Sequence, residues 1–235
     1  LTPTNDSQEV VITRRLEKIY RTDGSECRAL RGVDLVIQRG EFTGLVGPSG
    51  SGKTTLLNII GALDKPTAGE VLTLDHDIAR LSATAAAHLR SRKLGFIFQT
   101  FNLLPVYTVF ENVEFPLLLL GVKEPERSRR VMEVLEWVGL TDKRNYRPSQ
   151  LSGGEAQRTA VARAMVKNPE LILADEPTAN LDSENSLNIL ETMQRWNVER
   201  GTTFLFATHD EKVIRFLKRR ITLVDGQVSR DEQVA

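Results

Sequence analysis

A chain of 235 residues is long enough for one large domain with a well-buried core. Its 40% hydrophobic and 26% charged residues exclude a disordered polymer, and 31 Lys+Arg against 31 Asp+Glu leave no net charge, which argues against bulk nucleic-acid binding. The one cysteine, Cys27, excludes an internal disulfide and points to a reducing, cytosolic setting.

The polar start, Leu1 to Ser7, lacks the basic-then-apolar order of a secretory leader, so a flexible tail is expected over 1–8. Three extended segments follow, from Val10 to Tyr20, Val33 to Ile37 and Phe42 to Val46, with Gly24 and Gly40 at the turns. Cys27 lies in the polar stretch after Gly24, has no neighbour in sequence to activate it, and is assigned no role. The third strand runs into Gly47-Pro48-Ser49-Gly50-Ser51-Gly52-Lys53-Thr54, and apolar residues at helical spacing then predict a helix from Thr54 to Leu63. Glycines in such a loop let backbone N–H groups face phosphate oxygens, and the helix start adds partial positive charge. Lys53 would reach the β- and γ-phosphates, and the Thr54 hydroxyl can ligate Mg²⁺.

Between Gln99 and Leu151 no β-rich run occurs, and helical periodicity over Arg127 to Val138, ended by Gly139, predicts an inserted helical subdomain. The apolar run Phe115 to Leu120 is too short to cross a bilayer and holds Pro116. Leu151-Ser152-Gly153-Gly154-Glu155 opens a helix through Met165, with Ser152 as its N-cap and two glycines baring the first turn. An ordinary capped helix is the plain alternative. If the turn is an anion site, the loop at Gly47 already cradles one nucleotide, so its anion would come from a second copy of the chain. Leu171 to Ala174 and Thr203 to Ala207 are short apolar runs joined through a predicted helix at Ser183 to Glu199, the pattern of buried parallel strands. The first ends in Asp175-Glu176: Asp175 would hold Mg²⁺ through water, and Glu176 would orient or deprotonate a water attacking the γ-phosphate. His209 follows the second strand at the sheet edge where α/β proteins bind ligands. Lys218-Arg219-Arg220 reads as a solvated edge and Asp225-Gly226 as a hairpin turn. The fold class is α/β: a mostly parallel core sheet, an N-terminal antiparallel β subdomain and the helical insert.

Taken in order from about Val10 to Val228, these motifs resemble the ATP-binding cassette family. The resemblance implies a single domain over 9–235, with 9–98 and 152–235 as nucleotide-binding core and 99–151 as helical insert. Gly47 to Thr54 is similar to the Walker A loop, with Thr55 beside it in the nucleotide site. Leu151 to Glu155 is similar to the signature, in which Ser152, Gly153 and Gly154 would meet the partner's nucleotide. Leu171 to Glu176 is similar to Walker B, Asn180-Leu181-Asp182 to the D-loop, and His209 to the switch histidine. Tyr20 resembles the aromatic that stacks on adenine, and Gln99 the glutamine that senses the γ-phosphate and Mg²⁺. Ala156 and Ala179 depart from the family pattern without removing a phosphate or metal ligand. The resemblance implies Mg²⁺-dependent ATP hydrolysis by two chains closed head to tail. It also implies a separate membrane subunit docking near Gln99 to Pro105, no nucleic-acid partner, and a position on the cytoplasmic face of the inner membrane. The stretch Leu94 to Pro105 is most similar to the lipoprotein-releasing and macrolide-exporter branch. A cell-division ATPase controlling wall hydrolases and, more remotely, a soluble cassette acting on DNA or ribosomes are the other readings.

Overall fold

The computed structural model describes residues 8–22 and 24–234. The expected tail over 1–8 falls, up to residue 7, outside the described residues. In chain order the elements are β1 (Glu9–Thr22), β2 (Ser25–Gln38), β3 (Phe42–Val46), α1 (Lys53–Ile60), β4 (Ala68–Thr73), β5 (His76–Asp77), α2 (Ala83–Lys93), β6 (Leu94–Ile97), α3 (Val109–Leu119), α4 (Glu126–Trp137), α5 (Gly153–Met165), β7 (Leu171–Asp175), α6 (Ser183–Arg200), β8 (Thr203–Thr208), α7 (Glu211–Ile214), β9 (Arg219–Val224) and β10 (Gln227–Gln233). Two sheets result: an antiparallel one in the order β2-β1-β4-β5, and a six-stranded one in the order β10-β9-β3-β8-β7-β6. The contacts among β9, β3, β8, β7 and β6 are all parallel, and β10 pairs antiparallel with β9 at one edge.

The unbroken apolar runs of the central strands have a direct cause. In β7, Leu171 and Leu173 face a core shared with α1 and the antiparallel sheet, while Ile172 and Ala174 face a second core shared with α3 to α6. In β8, Leu205 and Ala207 take the first side, Phe204 and Phe206 the second. A strand covered on both faces is apolar on both through its middle, so the two-residue period of the pleat carries no polar alternation there. Phe42, Phe204 and Phe206 pack as a tilted and stacked cluster under the second core, and Trp137 meets Trp196 edge to face at 5.0 Å.

Several expectations shift. The helix after the glycine-rich loop ends at Ile60, not Leu63, because Gly61 caps it and Ala62 turns left-handed at φ 53°. The second strand begins at Ser25, eight residues before the apolar run that announced it, since its first four residues are exposed and their ladder pairing with β1 leaves no apolar pattern. Cys27 is thus on a strand, not in a loop. Arg219 is not a solvated edge residue: Glu41, Asp231 and the Val36 carbonyl hold its guanidinium, and its side chain is 13% exposed. Its strand is pulled inward by Ile221 and Leu223, both fully buried.

Candidate functional site

Four parallel neighbours, β3, β8, β7 and β6, end at the same edge, and the residues singled out from the sequence leave from those ends. The glycine-rich loop follows β3, Gln99 follows β6, Asp175 and Glu176 close β7, and His209 follows β8. Backbone shape in the loop depends on glycine. Gly47, Gly50 and Gly52 stand at φ 151°, 79° and 100°, and Gly52 serves as the N-cap of α1 in a left-handed conformation. A Cβ at Gly47 would lie 2.2 Å from the Leu223 carbonyl oxygen, and one at Gly52 would lie 2.5 Å from that of Ala29. Lys53 folds back over the loop and donates to the carbonyls of Gly47 at 2.8 Å and Pro48 at 2.9 Å. Burial pushes its ammonium below the ordinary lysine value, opposed by the charges of Glu176 and Asp175.

The Thr54 hydroxyl donates to Asp175 Oδ1 at 3.0 Å, so the two oxygen groups expected to share a cation are neighbours. Burial raises the Asp175 carboxyl above its ordinary value; the Thr54 bond opposes this and the Glu176 charge adds to it. Glu176 itself is a non-glycine residue at φ 45°, a conformation costing about 1–3 kcal/mol that persists where surrounding bonds enforce it. Here its N–H donates to the Ala207 carbonyl at 2.9 Å, Thr208 Oγ1 donates to Oε2 at 3.0 Å, and His209 Nδ1 lies 2.5 Å from Oε1. A carboxylate accepts only, so Nδ1 carries the proton and Nε2 is left for another partner. The His209 side chain is 61% exposed, against 14% for Glu176.

A cavity of about 540 Å³ opens beside the loop, lined by Tyr20, Gly50, Gly52, Lys53, Thr54 and Thr55 together with Arg28, Arg31, Cys27 and the turn Asp225-Gly226. Tyr20 is thereby on the same cavity as the phosphate loop, its hydroxyl donating to Asp64 Oδ2 at 2.9 Å and Lys18 Nζ standing 4.8 Å from its ring centre. The β9–β10 turn was not anticipated as part of this site. It arrives because Gly226 donates to the Ser51 carbonyl and accepts from Arg31 N–H. Ser51 Oγ is buried and has no hydrogen-bond partner among the described residues.

Ser152, Gly153, Gly154 and Asp182 are not among the residues lining that cavity. Ser152 caps α5 as expected, accepting from Glu155 N–H at 3.2 Å while its own N–H donates to Glu155 Oε2 at 2.8 Å. Asp182 caps α6 with both carboxylate oxygens engaged by Asn185, and those bonds hold its carboxyl below the usual range. Sequence reasoning missed Gln157, buried in α5, which donates to the Pro177 carbonyl at 2.5 Å, and Thr178, which donates to Asp210 Oδ2 at 2.7 Å. Gln99 is exposed, and its carbonyl accepts from Asn180 Nδ2 at 2.9 Å.

The segment after Gln99, where the family resemblance implies a docking membrane subunit, is only partly open. Phe101 and Leu103 are half-buried, and Arg163 of α5 donates to the carbonyls of Phe101 and Asn102. The most exposed apolar residues nearby are Val106 at 70% and Leu119 at 67%. Leu119 and Pro116 border a groove of about 370 Å³ with Phe96, Phe98 and Leu63. Among the described residues no helix is long and apolar enough to cross a membrane.

A phosphate cradle, a hydroxyl–carboxylate pair and a second, strained carboxylate at one sheet edge make a nucleoside-triphosphate hydrolase. Residues 30–179 match the model of the ABC transporter family, and the chain belongs to that family as an ATP-hydrolysing nucleotide-binding cassette. Over 216 residues it is 44% identical to the lipoprotein-releasing system ATP-binding protein LolD of Geobacter metallireducens, a match covering 92% of this chain and 96% of that one. An uncharacterized ABC transporter ATP-binding protein of Thermotoga maritima is also 44% identical over 216 residues, 92% of each chain. The structure is similar to the dimeric bacterial ABC transporter cassette MJ0796, with a TM-score of 0.90 and 43% identity over 96% of this chain and 99% of that one. A post-hydrolysis dimer of the same cassette bound to ADP and Pi gives a TM-score of 0.89.

Proposed function

We propose that two copies of this chain close head to tail around two ATP molecules and that hydrolysis drives a separate membrane subunit at the cytoplasmic face of the inner membrane. The work done is lipoprotein release or export from the cell envelope; the name of the LolD relative, a lipoprotein-releasing system protein, supports release. One observation carries the composite site. The capped start of α5, with Ser152 exposed and Gly153 beside it, lies off the cavity that holds Lys53 and Thr54, so it is free to face another chain's nucleotide.

Within one site the division of labour follows from the geometry. Lys53 exchanges two carbonyl bonds for phosphate oxygens, and the loop N–H groups complete the cradle. Tyr20 offers its ring to adenine. Mg²⁺, held by the Thr54 hydroxyl, by Asp175 and by Gln99, would neutralise charge on the β- and γ-oxygens when bound. Glu176, oriented by Thr208 and His209, accepts the proton of the attacking water, and His209 Nε2, when protonated, donates to a γ-phosphate oxygen.

Turnover per chain is therefore expected to rise with protein concentration and then level off, measured as phosphate release across a hundredfold dilution series. Constant turnover per chain at every concentration would remove the composite site. The membrane subunit is expected to dock near Gln99 to Pro105, extending over the neighbouring Val106 and the groove that Leu119 borders beside α3. Replacing Leu103, Val106 and Leu119 together by Asp should release the chain from membranes of its host in a flotation assay while nucleotide affinity changes less than twofold. Unchanged flotation rejects that dock.

A further inference from the structure

Asn185, in the first turn of α6, joins the Asp182 loop to α5. Asn185 uses all its polar atoms there: its backbone N–H donates to Asp182 Oδ1 at 2.8 Å, and Nδ2 donates to Asp182 Oδ2 at 2.7 Å. Its Oδ1 accepts from Arg158 Nη1 of α5 at 3.1 Å. The same carboxamide is pressed onto Gly154, where an added Cβ would lie 2.4 Å from Oδ1 and 2.6 Å from Cγ. At the neighbouring Gly153 a Cβ would meet the Asn180 carbonyl oxygen at an ordinary 3.6 Å. A methyl group at 154 would therefore displace the Asn185 carboxamide from its bonds to Asp182 and Arg158, a cost set inside this chain before any nucleotide is considered. Asn180 in turn donates to the Gln99 carbonyl, so the loop carrying Asp182 is tied to α5 at one end and to the segment after β6 at the other.

We propose that Asn185 is a positioning residue that packs on the buried Gly154, latches the Asp182 loop to α5 and so sets the direction in which the exposed Ser152 and Gly153 present themselves to the second chain. The proposal rests on the composite-site reading above. Asn185 touches neither the loop at Gly47 nor the cavity beside it, so the latch acts on closure of the pair and not on binding of nucleotide to one chain. The packing also makes positions 154 and 185 interdependent: a methyl group at 154 is excluded by the carboxamide and admitted once the carboxamide is gone.

The test uses the whole chain carrying Glu176→Gln, so that ATP-bound pairs accumulate, and reads dimer dissociation constants by analytical ultracentrifugation with ATP. Asn185→Ala is expected to weaken the pair about tenfold, with affinity of the single chain for a fluorescent ATP analogue unchanged within twofold. With Glu176 restored, its turnover should approach that of the parent at high protein concentration. Gly154→Ala alone should weaken the pair more than Asn185→Ala does, and adding Asn185→Ala to it should recover most of that excess. Equal dimerisation of Asn185→Ala and parent, or no recovery in the double variant, overturns the latch. If Asn185→Ala unfolds, Asn185→Ser, which keeps an oxygen but is too short to press on Gly154, gives the same comparison. A parent that stays monomeric in ATP overturns the composite site and the latch with it, so the two failures are told apart by the parent alone.

Discussion

Replacing Glu176 by glutamine is expected to lower steady-state phosphate release about a thousandfold, the scale of a lost general base, while leaving ATP bound. The geometry says why binding survives. Lys53, Thr54 and the loop glycines do not depend on the Glu176 charge for position, and Thr208 can still donate to the amide oxygen. Chemistry does not survive, because an amide cannot take a proton from water. A further change falls on His209: the amide nitrogen left opposite Nδ1 is a donor, so Nδ1 must become the acceptor and Nε2 the protonated nitrogen. The imidazole can then still hold a phosphate oxygen, which favours a long-lived ATP-bound pair. The check is phosphate release together with sedimentation in ATP and in ADP. Residual turnover within tenfold of the parent would mean that another group activates the water.

The sequence was most legible where chemistry and backbone geometry demand the same residues. Gly47 to Thr54 can be recognised because phosphate contact requires both the glycine conformations and the lysine, and Asp175-Glu176 because two acids directly follow a fully buried strand. Ser152 could be placed as a cap because a capping box is complete within four residues. Tyr20 needed the family pattern, since a lone aromatic near a strand end has no local mark of what faces it.

What stayed hidden depends on long-range contact or on exposed surface. In α2 the buried residue is Leu89, so the helix carries no apolar stripe to reveal it. The first four residues of β2 are exposed and paired to β1 along the ladder, which leaves no apolar pattern in residue type. Arg219 was misread because a run of three cations looks solvated until Glu41, far away in the chain, and Asp231, on the next strand, are brought beside it. The same holds for the Asp225-Gly226 turn, legible as a hairpin but not as a wall of the nucleotide cavity, and for Asn185, whose three partners are spread from residue 154 to residue 182.

Replacing Gly47 by alanine should abolish ATP binding at millimolar nucleotide while the fold persists. Two independent costs meet at this position. The backbone stands at φ 151°, where residues with a Cβ are rarely found, and the methyl group would fall 2.2 Å from the Leu223 carbonyl oxygen of β9. That oxygen is main chain in a strand paired to β3, so it cannot swing aside as a side-chain tip can. The loop must move instead, and with it the Gly47 carbonyl that holds Lys53 and the Ser51 carbonyl that accepts from Gly226. The overpacking is expected to cost about 1–3 kcal/mol of stability. The two sheets and both cores are otherwise untouched, so a cooperative melt at lower temperature should remain. Calorimetric titration with ATP and thermal unfolding without it separate the two effects. ATP binding within tenfold of the parent would show that the loop tolerates a side chain at its first glycine, and the backbone account of the cradle would fall with it.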